Sequence, residues 1–291
     1  MLLQRILTAL VLAAVAITAI FTLSTMYFYL FIGVIVVIGA WEWTNLSSIE
    51  SMLAKVLFIS ALVFSMLFIV LWPHILDVLS ELLERPNVKS YSGLLEWLVI
   101  GPVIFWVTMM FLIRKTPEEL LALDIENKYK LFIGWFILFS AWMFLTRLRA
   151  FYGPAAVMYF LVLIWVADIA AYFSGKKFGK DKLTPLISPG KTVQGMYGAL
   201  ISGFICATIL GLYYGYPFMI ASDFILLSVL TVLVSIYGDL FFSLVKRQNN
   251  VKDSGSLLPG HGGILDRIDS VIAAAPFYYA GIILIGQGVF A

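Results

Sequence analysis

Apolar residues run along this chain in long stretches, interrupted by short polar segments. A helix needs about 20 mostly apolar residues to span a bilayer. Nine stretches qualify, at roughly 5–22, 26–46, 54–73, 95–113, 131–148, 154–174, 193–214, 223–245 and 270–290. The fifth and sixth are nearly continuous, and Tyr152-Gly153-Pro154 is the breaker between them. The pattern predicts an all-α fold, a polytopic transmembrane helix bundle of about nine spans. It shows no soluble domain, low-complexity tract or internal repeat. The first stretch follows Met1-Leu2-Leu3-Gln4-Arg5 and has no small-residue cleavage site leading into a soluble domain, so a retained span is expected rather than a signal peptide.

Composition agrees with lipid as the solvent. The chain is 62% hydrophobic and 12% charged, with a mean hydropathy of +1.00, where soluble domains carry about 25% charged residues. The single cysteine, Cys206, lies in an apolar run and reads as a small buried hydrophobe. It excludes an internal disulfide and a cysteine-rich metal site.

The net charge of +2 says little about partners, but its distribution orients the chain. With the N-terminus inside, 15 of the 19 Lys and Arg fall on inside segments. Arg85, Lys89, Arg147 and Arg149 remain outside. This is the bias that sets membrane orientation. Arg147 and Arg149 fit it least, and a polar cavity or a re-entrant turn is expected around them.

Two inside loops differ from the rest of the chain. Gly175 to Thr192 holds five lysines, three glycines and two prolines. The lysines alone would suit topology and anionic headgroups, but the Gly and Pro spacing predicts a shaped backbone. Gly190-Lys191-Thr192 is not a P-loop, because Pro185 stands where the first Gly belongs and no strand precedes it. A phosphate-binding loop of another kind is expected. The second loop, Lys246 to Asp269, carries four glycines, His261, four basic residues and three aspartates.

Acidic positions narrow the chemistry. Asp168 and Asp239 lie inside the sixth and eighth spans, where a carboxylate is costly and faces a cavity or a partner. Asp239 comes about two turns before the eighth span ends. Asp266 and Asp269 open the ninth span, and their spacing puts them on one helical face, with Arg267 pointing elsewhere. An isolated pair would read as helix N-terminal charge, and Asp239 alone as a partner of Lys246 or Arg247. Asp239, Asp266 and Asp269 converging beside a basic loop predict a hard divalent-cation site, because Mg²⁺ is bound by carboxylates together with substrate phosphates. His261 sits between glycines on a tight turn, which alone does not make it catalytic.

The run Ser243 to Asp269 resembles the signature of the phosphatidate cytidylyltransferases, or CDP-diacylglycerol synthases. It matches at Ser243, Lys246-Arg247, Lys252-Asp253, Gly255, Pro259, His261-Gly262-Gly263, Asp266-Arg267 and Asp269 without a gap. Asp168 to Tyr172, with Gly175, Gly179, Ser188-Pro189 and Lys191-Thr192, is also similar to that family. The likeness covers roughly the last 125 residues strongly and the N-terminal half only as apolar spans. Gln194 stands where members often carry Glu, so no catalytic role is assigned to it.

The resemblance implies transfer of CMP from CTP to phosphatidate, with Mg²⁺ and a second cation such as K⁺. It implies a catalytic set of Asp239, Lys246, Arg247, Lys252, Asp253, His261, Asp266, Arg267 and Asp269. Asp168, Tyr172, Ser188, Lys191, Thr192 and Ser243 would bind substrate. Residues 1–150 are then N-terminal transmembrane helices, and 151–291 a catalytic transmembrane region with two cytoplasmic loops. The expected setting is a bacterial inner membrane with the site facing the cytoplasm. CTP and membrane phosphatidate are the expected partners, without nucleic acid and with room for a homodimer. Alternatives are another phospho-headgroup transferase, such as a CDP-alcohol phosphotransferase, or an anion transporter. The aspartates are split by a long loop, which disfavours the first. The crowding of polar residues on one face, without broken-helix repeats, disfavours the second.

Overall fold

The computed structural model describes residues 2–258, 260, 262–286 and 288–290. The helices run α1 (Leu2–Thr22), α2 (Thr25–Leu46) and α3 (Met52–Leu82), then a 3₁₀ segment (Pro86–Val99) leading into α4 (Ile100–Lys115) and the short α5 (Pro117–Ala122). The long α6 (Asn127–Phe178) follows, then strands β1 (Lys182–Thr184) and β2 (Ser188–Thr192), and finally α7 (Val193–Tyr214), α8 (Phe218–Gln248) and α9 (Leu265–Ile285). Among the described residues, seven helical stretches are long and apolar enough to cross a membrane, and Thr8–Thr22 is a shorter apolar helix. The fold is the expected all-α membrane bundle with one small hairpin added.

Local sequence explains the breaks. α6 contains the fifth and sixth apolar stretches, parted at Gly153, whose φ of 79° and ψ of −179° interrupt the helical path. Glycine reaches that positive φ without a Cβ clash, and Pro154 cannot donate to the preceding turn. The Ser51 side chain caps α3 by accepting from the Ala54 N–H. Gly215 closes α7 in the left-handed conformation.

The basic segment expected as a shaped loop divides between a helix end and a hairpin. Its first residues extend α6, and the rest forms an antiparallel hairpin pairing Lys182 with Thr192 and Thr184 with Ser188. Leu183 and Ile187 are buried beneath it. The Arg114 side chain donates to the Leu183 carbonyl and Arg247 to the Ile187 carbonyl, which tie the hairpin to α4 and α8.

Apolar surface is arranged for lipid. Phe64, Leu212, Phe218 and Leu284 are exposed, while Trp43, Trp106, Trp142 and Tyr278 are fully buried. An outer face of that kind would be an association surface in water. Arg147 and Arg149 are both answered by protein. Arg147 pairs with Glu96, which also accepts the Tyr279 hydroxyl. Arg149 donates to the Ile20 and Leu23 carbonyls at the end of α1.

α8 and α9 lie close because Gly238 presents no side chain between them. A Cβ there would come within 2.4 Å of the Ala273 Cβ and 3.1 Å of the Asp269 carbonyl oxygen. Gly238→Ala should therefore lower the thermal midpoint of detergent-solubilised protein, since overpacking costs about 1–3 kcal/mol. A variant that melts with the parent would show that the two helices can part there freely.

Candidate active site

At one end of the bundle α6 runs out, the hairpin turns back, α8 ends and α9 begins. Asp239 is two turns from the end of α8 and meets the hairpin. Lys191 Nζ lies 2.7 Å from Asp239 Oδ2 and donates to the Ile236 carbonyl at 3.2 Å. Ser243, one turn on, donates to Asp239 Oδ1. Asp168 from α6 interacts electrostatically with Asp239, Lys191 and Arg267. Asp269 is buried in α9, accepts the Ser270 N–H and interacts with Asp239. Three helices thus bring like charges together, with lysines between them.

Asp266 has a different environment from Asp269. Its Oδ1 is 2.6 Å from Lys246 Nζ. Its Oδ2 accepts from the Ser254 N–H, the Ser254 hydroxyl and the Gly263 N–H, at 2.8, 3.0 and 3.0 Å. The first turn of α9 thereby closes the preceding loop onto the helix. Lys246 pairs directly with Asp266 and also acts electrostatically on Asp239 and Asp269, the other two carboxylates expected to hold a metal. Among the described residues, no three acidic, His or Cys side chains are already gathered as a metal cage. The donor set is all hard oxygen, and Lys246 and Lys191 carry positive charge where the carboxylates meet. That chemistry fits a divalent cation shared with substrate phosphates.

The remaining expected residues divide by environment. Arg247 serves the hairpin through Ile187. Lys252 and Asp253 are exposed on the loop. Ser188 pairs with Thr184 in the hairpin. Thr192 caps α7 by accepting the Gly195 N–H at 3.0 Å, so its hydroxyl holds the fold rather than facing outward. Tyr172 is exposed, with Lys176 over its ring at 5.8 Å, and does not join the carboxylates. His261 and Pro259 lie outside the described residues. Gln194 accepts from the Lys180 and Asp181 N–H groups and donates to the Asp181 carboxylate, which fixes the approach to the hairpin.

One residue at this end was not expected. Glu42, in α2, is buried and reaches the α9 N-terminus. It accepts from the Ile264 N–H and the Leu265 N–H, each at 2.9 Å, and from the Ser254 hydroxyl at 3.0 Å. The signal was present, as a lone carboxylate between Trp41 and Trp43 in an apolar span.

Residues 3–285 match the cytidylyltransferase family, and the chain belongs to it. It is 36% identical to the phosphatidate cytidylyltransferase of Haemophilus influenzae over 289 residues, covering 96% of this chain and 97% of the relative. The Pseudomonas aeruginosa protein of that name is 37% identical, with 99% of each chain covered. The Bacillus subtilis one is 46% identical over 131 residues, covering 44% of this chain and 47% of the relative.

The two lysines should separate on substitution. Lys246 and Asp266 are both well buried, with side chains 13% and 7% exposed. Lys246→Ala strands a buried carboxylate and should destabilise by on the order of 3 kcal/mol. Lys191 and Asp239 are more open, so Lys191→Ala should mainly lower turnover. Thermal melts beside activity assays check this, and equal melting losses would deny the distinction.

Proposed function

We propose that this chain is a membrane-embedded nucleotidyltransferase. It transfers CMP from CTP to phosphatidate, giving CDP-diacylglycerol and diphosphate for phospholipid biosynthesis. Near-full-length likeness to two proteins named for that activity supports the reading. The observation that carries it is the meeting of Asp168, Asp239, Asp266 and Asp269 with Lys191 and Lys246 at one end of an apolar bundle. The bias of Lys and Arg supports placing that end on the cytoplasmic side of a bacterial inner membrane.

The chemistry joins two polyanions. A phosphatidate oxygen forms a bond to the α-phosphorus of CTP. The bond from that phosphorus to the bridging oxygen breaks, and diphosphate leaves with the electron pair. The attacking oxygen is already anionic, so the protein's work is positioning and charge neutralisation rather than strong base catalysis. Lys191 and Lys246 supply positive charge, and Arg267 acts electrostatically on Asp168. Mg²⁺ would be held by Asp239, Asp266 and Asp269 and would stabilise charge on the phosphates. A second cation such as K⁺ belongs to the same proposal.

Purified protein given radiolabelled CTP, phosphatidate and Mg²⁺ should form a labelled lipid. Diacylglycerol in the same detergent should be inert, because a neutral alcohol needs a positioned base that contributes about 10²–10⁴-fold. CTP-dependent phosphorylation of diacylglycerol would identify a lipid kinase and overturn the assignment.

Asp239→Asn and Asp269→Asn change shape very little but remove the proposed ligand charge. Each should lower turnover by about 10²-fold or more, the scale of several kcal/mol of lost charge stabilisation. Folded variants with near-normal turnover would end the metal proposal.

A further inference from the structure

We infer that Glu42 is a positioning residue for the transfer, holding the loop before α9 and, through Ser254, the Asp266–Lys246 pair. This inference rests on the transferase reading above.

Glu42 belongs to α2, far from the catalytic run in sequence, yet its carboxylate is inside that run's loop. Its Oε1 accepts from the Ile264 N–H, and its Oε2 accepts from the Leu265 N–H and the Ser254 hydroxyl. The two N–H groups belong to the start of α9, where backbone donors have no helical acceptor. The Ser254 hydroxyl lies 3.0 Å from Glu42 Oε2 and 3.0 Å from Asp266 Oδ2. Its single proton serves one of the two carboxylates at a time, so the hydroxyl is a donor shared between Glu42 and Asp266. Asp266 in turn holds Lys246 at 2.6 Å. The path of contacts is Glu42, Ser254, Asp266, Lys246, and Lys246 also acts electrostatically on Asp239 and Asp269.

The loop is shaped to admit this carboxylate. A Cβ at Gly255 would come within 2.6 Å of Glu42 Oε1, and one at Gly263 within 2.4 Å of Oε2. Both glycines belong to the run that resembles the family signature; Glu42 fills the space beside Gly255, and Glu42 and the Ser254 hydroxyl fill it beside Gly263. An anion in an apolar span is costly, and this one is answered by donors of the catalytic loop. Changing its charge should shift Asp266 and Lys246 without removing a group that touches substrate.

The test uses full-length protein in detergent, comparing wild type with Glu42→Gln and Ser254→Ala. The readouts are kcat, the KM for CTP, the Mg²⁺ concentration for half-maximal rate, and the melting temperature. Glu42→Gln keeps the shape but sets an amide donor against backbone donors. It should lower kcat per folded molecule about 10–100-fold and raise the Mg²⁺ requirement, the range found when groups supporting metal ligands are lost. The KM for CTP should stay within about threefold, since transition-state positioning is lost rather than uniform binding. Ser254→Ala, which removes only the shared hydroxyl, should move kcat and Mg²⁺ dependence in the same direction by about 10-fold.

A Glu42→Gln protein that melts lower but keeps wild-type kcat and Mg²⁺ dependence would make Glu42 a structural tie only and overturn the inference. If that variant does not fold, Ser254→Ala decides, and wild-type kinetics there would overturn it equally. Wild-type protein that makes no labelled lipid from CTP and phosphatidate would overturn the reaction reading and this inference together. That failure is visible before any variant is assayed.

Discussion

A carboxylate inside an apolar bundle must be answered by donors or cations supplied by the protein, because hydrocarbon offers neither. The polar end of this fold is organised by that requirement. Asp239 is answered by Lys191 from the hairpin and Ser243 from its own helix. Asp266 is answered by Lys246 from α8 and by the loop backbone. Glu42 is answered by the first N–H groups of α9. Satisfying these carboxylates brings the hairpin, α2, α8, α9 and the loop between the last two helices to one place.

The same requirement has a different outcome at Arg147. There Glu96 meets one guanidinium and one hydroxyl, and the group links the Pro86–Val99 segment to α6 and α9. Opposite charges are matched within that cluster, which suits a structural tie. Around Asp239 the carboxylates of Asp168 and Asp269 lie close enough to interact unfavourably with it. Like charges held together inside a protein favour the arrival of cations and of cation-bound phosphates. The contrast between matched and crowded charge separates the tie from the candidate active site.

Membrane attachment and chemistry share helices in this chain. α6 passes without a soluble linker from the first half to the second, bending only at Gly153. α2, a hydrophobic span in the first half, contributes Glu42 to the loop that precedes α9. The N-terminal helices therefore contribute to the site's geometry as well as to its anchoring. A substrate with its acyl chains in the bilayer and a nucleotide from water would meet where apolar helices end in this charged cluster.

The apolar runs determined the helices, because crossing a bilayer depends on some 20 consecutive residues and is a local property. The break at Gly153-Pro154 was legible for the same reason. Asp168 and Asp239 could be singled out because charge within a span is conspicuous by itself. Tertiary structure alone decided how the polar groups pair. Asp266 and Asp269 share a helical face by spacing, yet one turns to Lys246 and the loop while the other is buried near Asp239. Thr192 reads as a phosphate-loop residue, yet its hydroxyl caps α7. The basic loop became a hairpin over buried Leu183 and Ile187, with arginines from two other helices holding its carbonyls. Glu42 bonds to a backbone N–H 222 residues away. Hydrogen bonds of that kind depend on which helices become neighbours, and neighbouring in space is not encoded in any single stretch of sequence.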